Sequence, residues 1–447
     1  MDLLNRKEIA DGVFLSSVTD PRFKQNRVSV CFLTQLNEDT ASVNAVVPKI
    51  LTNSCRKYPD LRELNAKLSS LYAARLSAHV GSIGDTQYVE LSIKTIDDRY
   101  ALDLEGSGRE EVTGEGLSIL LSCLFEPVVV DGGFEPGVTE TEKQSCIDQI
   151  ESELNDKRVY AVRQATRLLC KGEPAAAFEH GTVEGVSAVT PQSAYQAYQR
   201  LLKTARIEII CVGCNNFYTT RETLVEAFGN MEREPMEDCH SEPSPVKPEV
   251  LTHFETMDVN QSKLVLGFKV GDALGAGAAS GTPTGTPTID DFNALSLMVK
   301  IYGGSATSKL FDNVREKLSL CYYCWAKLQV SKRIILAECG VEKDNIEKAK
   351  AEILNQLQLL KQSDFSDEDV NHALLSLQND LKLVNDSLSG IKTWYLNHIY
   401  RCDIISPEDA IERFARVASD RTRLVKAAQS IVLDTVYVLT EEGAQHD

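Results

Sequence analysis

One order of elements occurs twice along the chain, and that repetition restricts the possible folds more than any single motif does. The first pass opens with a strand pattern at Arg27–Gln35, followed by helical stretches from about Thr40 to Ser54 and from Asp60 to Tyr72. Two strands come next, near Ala74–Ser82 and Thr86–Thr95, around the turn-forming Gly81-Ser-Ile-Gly84-Asp85. Helices then run to about Cys170, the longest over roughly Glu140–Cys170, and a helix at Thr190–Leu202 leads into the strand Arg206–Cys214. The second pass has a strand at Lys263–Val270, helices at Ile289–Tyr302 and Ser305–Lys317, and strands at Leu320–Val330 and Arg333–Cys339. Helices follow over Asp344–Gln362, from Asp367 through the 380s, at Ser406–Ala418 and at Arg421–Ile431, before a closing strand at Thr435–Thr440. The repetition predicts a duplicated α+β unit.

The expected division is a first half over residues 1–230, a linker over 231–255 and a second half over 256–447. Met231–Val250 is rich in proline and acid and shows neither helical nor strand periodicity. Gly271–Thr288 is rich in Gly, Ala, Thr and Pro, a composition that predicts a mobile surface loop.

Composition narrows the partners. The 47 basic and 65 acidic residues of the 447 leave a net charge of −18, a surface that repels phosphate backbones and anionic lipid. Nucleic acid and membrane are therefore not expected partners. The first residues lack the apolar run of a secretory signal, and no stretch approaches the roughly 20 apolar residues of a membrane helix. The expected location is the cytoplasm, which suits twelve cysteines scattered through apolar segments rather than grouped as a disulfide framework.

A helical zinc-peptidase site needs two histidines four residues apart, so that both imidazoles meet one ion. The seven histidines are His79, His180, His240, His253, His372, His398 and His446, and no two lie within ten positions of each other. Neither HExxH nor HxxEH can be written, and no metal or other cofactor is expected. The pairs Cys211-Val-Gly-Cys214 and Cys321-Tyr-Tyr-Cys324 admit a zinc-ribbon or redox reading. Both fall on predicted strands, where residues i and i+3 point to opposite faces, so core packing is the expectation. Cys211 and Cys214, at a strand end, keep a cysteine-dependent enzyme as an alternative. Gly275-Ala-Gly277-Ala-Ala-Ser-Gly281 lacks a following helix to hold a phosphate, and the GxSxG elbow is absent.

The segment from Tyr302-Gly-Gly-Ser through Lys309-Leu-Phe-Asp-Asn-Val-Arg315-Glu-Lys to Cys321-Tyr-Tyr323 is the most informative. It resembles the "GG…SRLF…vREk…LaY" signature of the second half of insulinase/pitrilysin-family zinc peptidases. The order of elements extends the resemblance over nearly the whole chain. It implies two homologous α/β-sandwich halves of the insulinase type. In that family a helix of the first half carries HxxEH and a later helix adds a glutamate ligand. By position these fall on Val47, Ile50 and Leu51, and on Gln149 with Glu151 as the alternative, so the zinc motif is degenerate. Arg315 and Tyr322 match the arginine and tyrosine that contact the substrate backbone and the reacting carbonyl.

The chain resembles in particular the zinc-less bacterial members that partner an HxxEH-bearing subunit, one such pair being associated with elongation factor P modification. The implied function is a non-catalytic subunit closing a chamber for a peptide or unfolded polypeptide. It would pair with an HxxEH subunit as a heterodimer, or with itself as a homodimer. A purely scaffolding homologue is the alternative.

Overall fold

Strands with both faces apolar must be covered on both sides, and each of the two sheets here is. The computed structural model of the chain describes residues 4–104, 108–214, 217–234, 240–271, 274 and 287–441. The first sheet runs Asn5–Ala10, Val13–Thr19, Arg206–Gly213, Gln25–Gln35, Thr86–Ile96, Arg75–Ile83. Its neighbours are antiparallel except Val13–Thr19 with Arg206–Gly213. Successive side chains point to opposite faces. Phe32, Val89 and Leu91 therefore meet Val47 and Leu51 of the helix Glu38–Leu51 and Tyr198 of Pro191–Thr204. Cys31, Leu33, Ile210 and Val212 meet Leu388, Ile391, Tyr395 and Ile399 on the helix Leu388–Tyr400.

The second sheet runs Leu251–Thr256, Ile431–Thr440, Ser262–Val270, Ile334–Val341, Cys321–Gln329, with only the first pair parallel. Apart from the added strand Asn5–Ala10, the first sheet has the same order and directions. The α+β fold with a repeated unit is what the structure has. One face packs on Ile289–Tyr302, Ile346–Lys361 and Arg421–Gln429. On the other, Ala161, Ala165 and Leu169 of the helix Lys157–Leu169 meet Val265, Leu336, Tyr437 and Leu439. Gly267 leaves that helix its space, since a Cβ there would lie 3.1 Å from both Leu169 Cδ atoms.

The compact units are discontinuous in sequence. The first comprises Met1–Glu151, Ala177–Ser241 and Val384–Ser406; the second comprises Ser152–Ala176, Glu242–Leu383 and Pro407–Asp447. The helix Lys157–Leu169, early in the chain, thus belongs to the second unit, and Leu388–Tyr400, late in the chain, to the first. The long helix expected over Glu140–Cys170 is two, Pro136–Asn155 and Lys157–Leu169. Asp156 divides them by accepting from the backbone N–H groups of Arg158 and Val159.

Within the expected linker, Leu251–Thr256 is a strand. Its side chains are mostly exposed, so it gives no apolar alternation, and its parallel partner lies far along the chain. Residues 242–247 are irregular yet fastened. Lys332 donates to the Glu242 carbonyl at 2.8 Å and Lys269 to the Pro245 carbonyl at 2.6 Å. The Lys247 N–H donates to Asp434 Oδ2 at 2.8 Å. Glu173 and Asp434 balance those buried ammonium groups: Lys332 is 2.6 Å from Glu173 and Lys269 is 3.4 Å from Asp434. The glycine-rich tract expected to be a loop lies outside the described residues except for residues 271, 274, 287 and 288.

Candidate functional site

The helix Glu38–Leu51 starts at Asn37, whose side chain accepts from the Asp39 N–H, and it continues through Pro48. Two of its faces matter. Val47 and Leu51 point into the apolar core against Phe32, Val89 and Leu124, and Ile50 is also buried. Ala45, Lys49 and Asn53, spaced by four residues, turn instead toward the helix Pro136–Asn155. Lys49 Nζ lies 3.2 Å from Gln149 Oε1 and 3.2 Å from Ser145 Oγ. Cys146 Sγ is 3.8 Å from the Ala45 carbonyl, and Asn53 donates to Glu142 at 3.0 Å. The structure thus brings Gln149 to Lys49. Glu151 is exposed.

His180, one of the seven dispersed histidines and given no role by spacing, completes this cluster. Its Nε2 lies 3.1 Å from Gln149 Nε2, and the ring is buried. The turn that carries it needs glycine at the next position. Gly181 has φ +72, and a Cβ there would fall 1.9 Å from Ser42 Oγ. Lys49 was also overlooked, although it is the only charged residue between Ala41 and Leu51.

Zinc, which the resemblance associates with this helix, does not fit these groups. An ammonium group stands between the amide and the hydroxyl, where it would repel a divalent cation at short range. Neither an amide nor a serine hydroxyl is a strong zinc ligand, and His180 is a single imidazole. Among the described residues no three His, Cys, Asp or Glu side chains are grouped so as to hold a metal ion.

Arg315 and Tyr322 both sit on irregular backbone. Arg315 lies on a π-helical segment, Leu310–Lys317, rather than on the regular helix expected over Ser305–Lys317. Such windings concentrate at functional sites. Its guanidinium packs over the Phe311 ring, 4.7 Å from the centroid, and lies 3.5 Å from Glu316. Tyr322 is the extra residue of a β-bulge, since Cys321 pairs with Val341 and Tyr323 with Gly340. The bulge turns the ring outward, 64% exposed, with its hydroxyl donating to Glu342 at 2.7 Å. That carboxylate raises the Tyr322 pKa, so the phenol stays protonated.

The cysteines offered as an alternative nucleophile are buried. Burial pushes the Cys211 thiol up to about 12 and, with Asp97 adding to it, Cys214 up to about 11. Both are protonated at neutral pH, which removes the thiolate such chemistry needs.

Residues 188–377, which include Arg315 and Tyr322, match the family described as "Peptidase M16 inactive domain". A Bacillus subtilis (strain 168) protein named "Probable inactive metalloprotease YmfF" is 25% identical over 438 residues, 97% of each chain. The crystal structure of a conserved protein from Enterococcus faecalis V583 is similar with a TM-score of 0.85 at 22% identity, covering 100% of both chains. That of a protease from Helicobacter pylori has a TM-score of 0.75 at 14% identity, covering 98% of this chain and 100% of the other. At these identities the two structures speak to the fold alone.

Proposed function

This chain is an M16-family peptidase homologue, and from that premise we propose that it is an inactive subunit that completes the peptide-binding chamber of an HxxEH-bearing partner. The observation that carries the reading is Lys49, whose ammonium group binds Gln149 and Ser145. On this reading the degenerate motif falls on Ala45, Pro48 and Lys49 rather than on Val47, Ile50 and Leu51, and Gln149 stands for the later ligand. The chain supplies no metal and no base. A homodimer would bring together two such sites, so the heterodimer is favoured. The substrate is a peptide or unfolded polypeptide, and the homologous halves are residues 1–230 and 256–447.

The chain's own contribution is made by Arg315 and Tyr322. A guanidinium and a phenol each donate hydrogen bonds, which favour an oxygen on which negative charge develops. The stacking of Arg315 on Phe311 and the bond from Tyr322 to Glu342 restrict both groups before substrate arrives. The reading places the subunit in the cytoplasm, in keeping with ten buried free cysteines among the described residues. Among those residues no helix is long and apolar enough to cross a membrane.

The test is reconstitution. The tagged chain, isolated from its native cells, should bring an HxxEH protein with it, and that protein's peptide cleavage should depend on the added chain. A partner that cleaves equally well alone would leave only a scaffolding role.

A further inference from the structure

One objection to a shared role for Cys321 and Cys324 is that a regular strand sends residues i and i+3 to opposite faces. The bulge at Tyr322 removes that objection, because it inserts one residue between the two cysteines and resets the alternation. Both then face the same core as Cys339, which lies directly opposite Cys324 in the neighbouring strand Ile334–Val341. Cys324 acts on the titration of the Cys321 thiol, and Cys321 and Cys339 act on that of Cys324, as neighbours in one core do. Cys324 and Cys339 are fully buried, whereas Cys321 keeps 8% exposure beside the outward-facing Tyr322. Burial thus increases from Cys321 to Cys324 and Cys339.

We propose that Cys321, Cys324 and Cys339 form a peroxide-reactive thiol site that relays oxidation inward and ends in a Cys324–Cys339 disulfide. Residues opposite each other on antiparallel strands have Cα atoms about 4.5–5.5 Å apart, within the roughly 4.4–6.8 Å that a disulfide spans. In the first step the Cys321 thiolate attacks hydrogen peroxide. The O–O bond breaks, Cys321 becomes a sulfenic acid, and the departing hydroxide takes up the thiol's proton as water. Cys324 then attacks the Cys321 sulfur and expels a second hydroxide, which takes the Cys324 proton and leaves as water. Last, the Cys339 thiolate attacks Cys324 and releases Cys321, which recovers the Cys339 proton. Two thiols and one peroxide become one disulfide and two waters.

The order of the three residues follows from their surroundings. The Cys324 thiol and the nearby Arg315 hold the Cys321 pKa below the usual thiol value despite partial burial. Cys321 is therefore the better first nucleophile and, at the end, the better leaving group. Cys324 is pushed up by the neighbouring Cys321 and Cys339 and by burial. In a second thiol pair, Cys55 with Cys123, both cysteines are fully buried.

The experiment treats the full-length protein with hydrogen peroxide, alkylates remaining thiols and maps the peptides by mass spectrometry. The expected result is loss of the Cys324 and Cys339 thiols, a linked Cys324–Cys339 peptide, and recovery of both thiols on reduction. Cys321→Ser should slow the linkage by about tenfold or more, since the entry thiolate is gone. Cys339→Ser should trap a Cys321–Cys324 disulfide, and Cys324→Ser should leave a dimedone-reactive Cys321. Three outcomes overturn the proposal: full alkylation of Cys324 and Cys339 in the peroxide-treated wild-type protein, linkage of Cys55 to Cys123 in their place, or an undiminished rate in Cys321→Ser. The wild-type map decides even where a variant fails to fold.

Discussion

Lys49 puts an ammonium group 3.2 Å from both the Gln149 amide oxygen and the Ser145 hydroxyl, so this one side chain governs what the cluster can hold. Removing it creates no zinc site, because the remaining groups include only one imidazole. The purified protein and Lys49→Ala should both carry far less than one zinc per chain, and EDTA should leave both melting curves in place. Near-stoichiometric zinc with a chelator-dependent melt in the wild-type protein would remove the basis for calling it inactive. At this scale the sequence was legible for what could be counted. Seven dispersed histidines exclude HxxEH without a structure. Which face of the helix meets Gln149 was not legible. Apolar residues surround Lys49 on both sides, and the periodicity of Ala45–Leu51 does not tell the sheet-facing side from the helix-facing side.

At the scale of elements, the helix Leu388–Tyr400 shows what a linear reading misses. Its apolar positions Leu388, Ile391, Tyr395, Leu396 and Ile399 have helical spacing, and Ser387 caps it by accepting from the Gly390 N–H. The pattern was present, but the helix expected through the 380s stops short of most of it, and its destination on the first sheet leaves no local trace. The Val13–Thr19 strand also went unread from the sequence, although it follows an Asp11-Gly12 turn, where Gly12 takes φ +64. A buried charge group ties the helix down: Lys392 lies 2.7 Å from Glu90, which Arg27 meets from its own sheet at 2.8 Å. Burial opposes the Glu90 charge, but Lys392 and then Arg27 outweigh it and hold the pKa at about 2. A depressed folded-state pKa contributes stability that is complete above the unfolded value, about 4.5, and is lost as pH falls toward 2. Glu90→Gln should therefore cost on the order of 3 kcal/mol at neutral pH, as loss of one member of a buried charge group does. In urea melts the gap from wild type should close between those two pH values. A gap that stays constant with pH would mean that Glu90 acts through packing and not through its charge.

For the whole molecule, the repeated order of elements was readable because strand and helix periods differ, and the fold class followed from it. The grouping of segments was not, because the segments that pack together are far apart in sequence: 152–176 belongs with the second sheet and 384–406 with the first. Residues 1–230 alone would lack the helix Leu388–Tyr400 and expose Cys31, Leu33, Ile210 and Val212 to water. That fragment should bind a hydrophobic dye and melt without cooperativity, and a peptide spanning 384–406 should restore part of the transition. Cooperative melting of the fragment by itself would show that the late helix is dispensable. The central claim, that an inert chain completes a partner's site, is tested most directly by turnover of the reconstituted complex. Arg315→Ala and Tyr322→Phe should each lower the partner's peptide cleavage by about 10²–10³, the usual effect of losing one such donor. Complex formation and the melting temperature should stay near wild type, because Arg315 is half-exposed and Tyr322 lies at the surface. Arg62→Ala, an exposed change on the helix Leu61–Ser70, is the control and should leave cleavage unchanged. Wild-type turnover in both the Arg315 and Tyr322 variants, with the complex intact, would contradict the account.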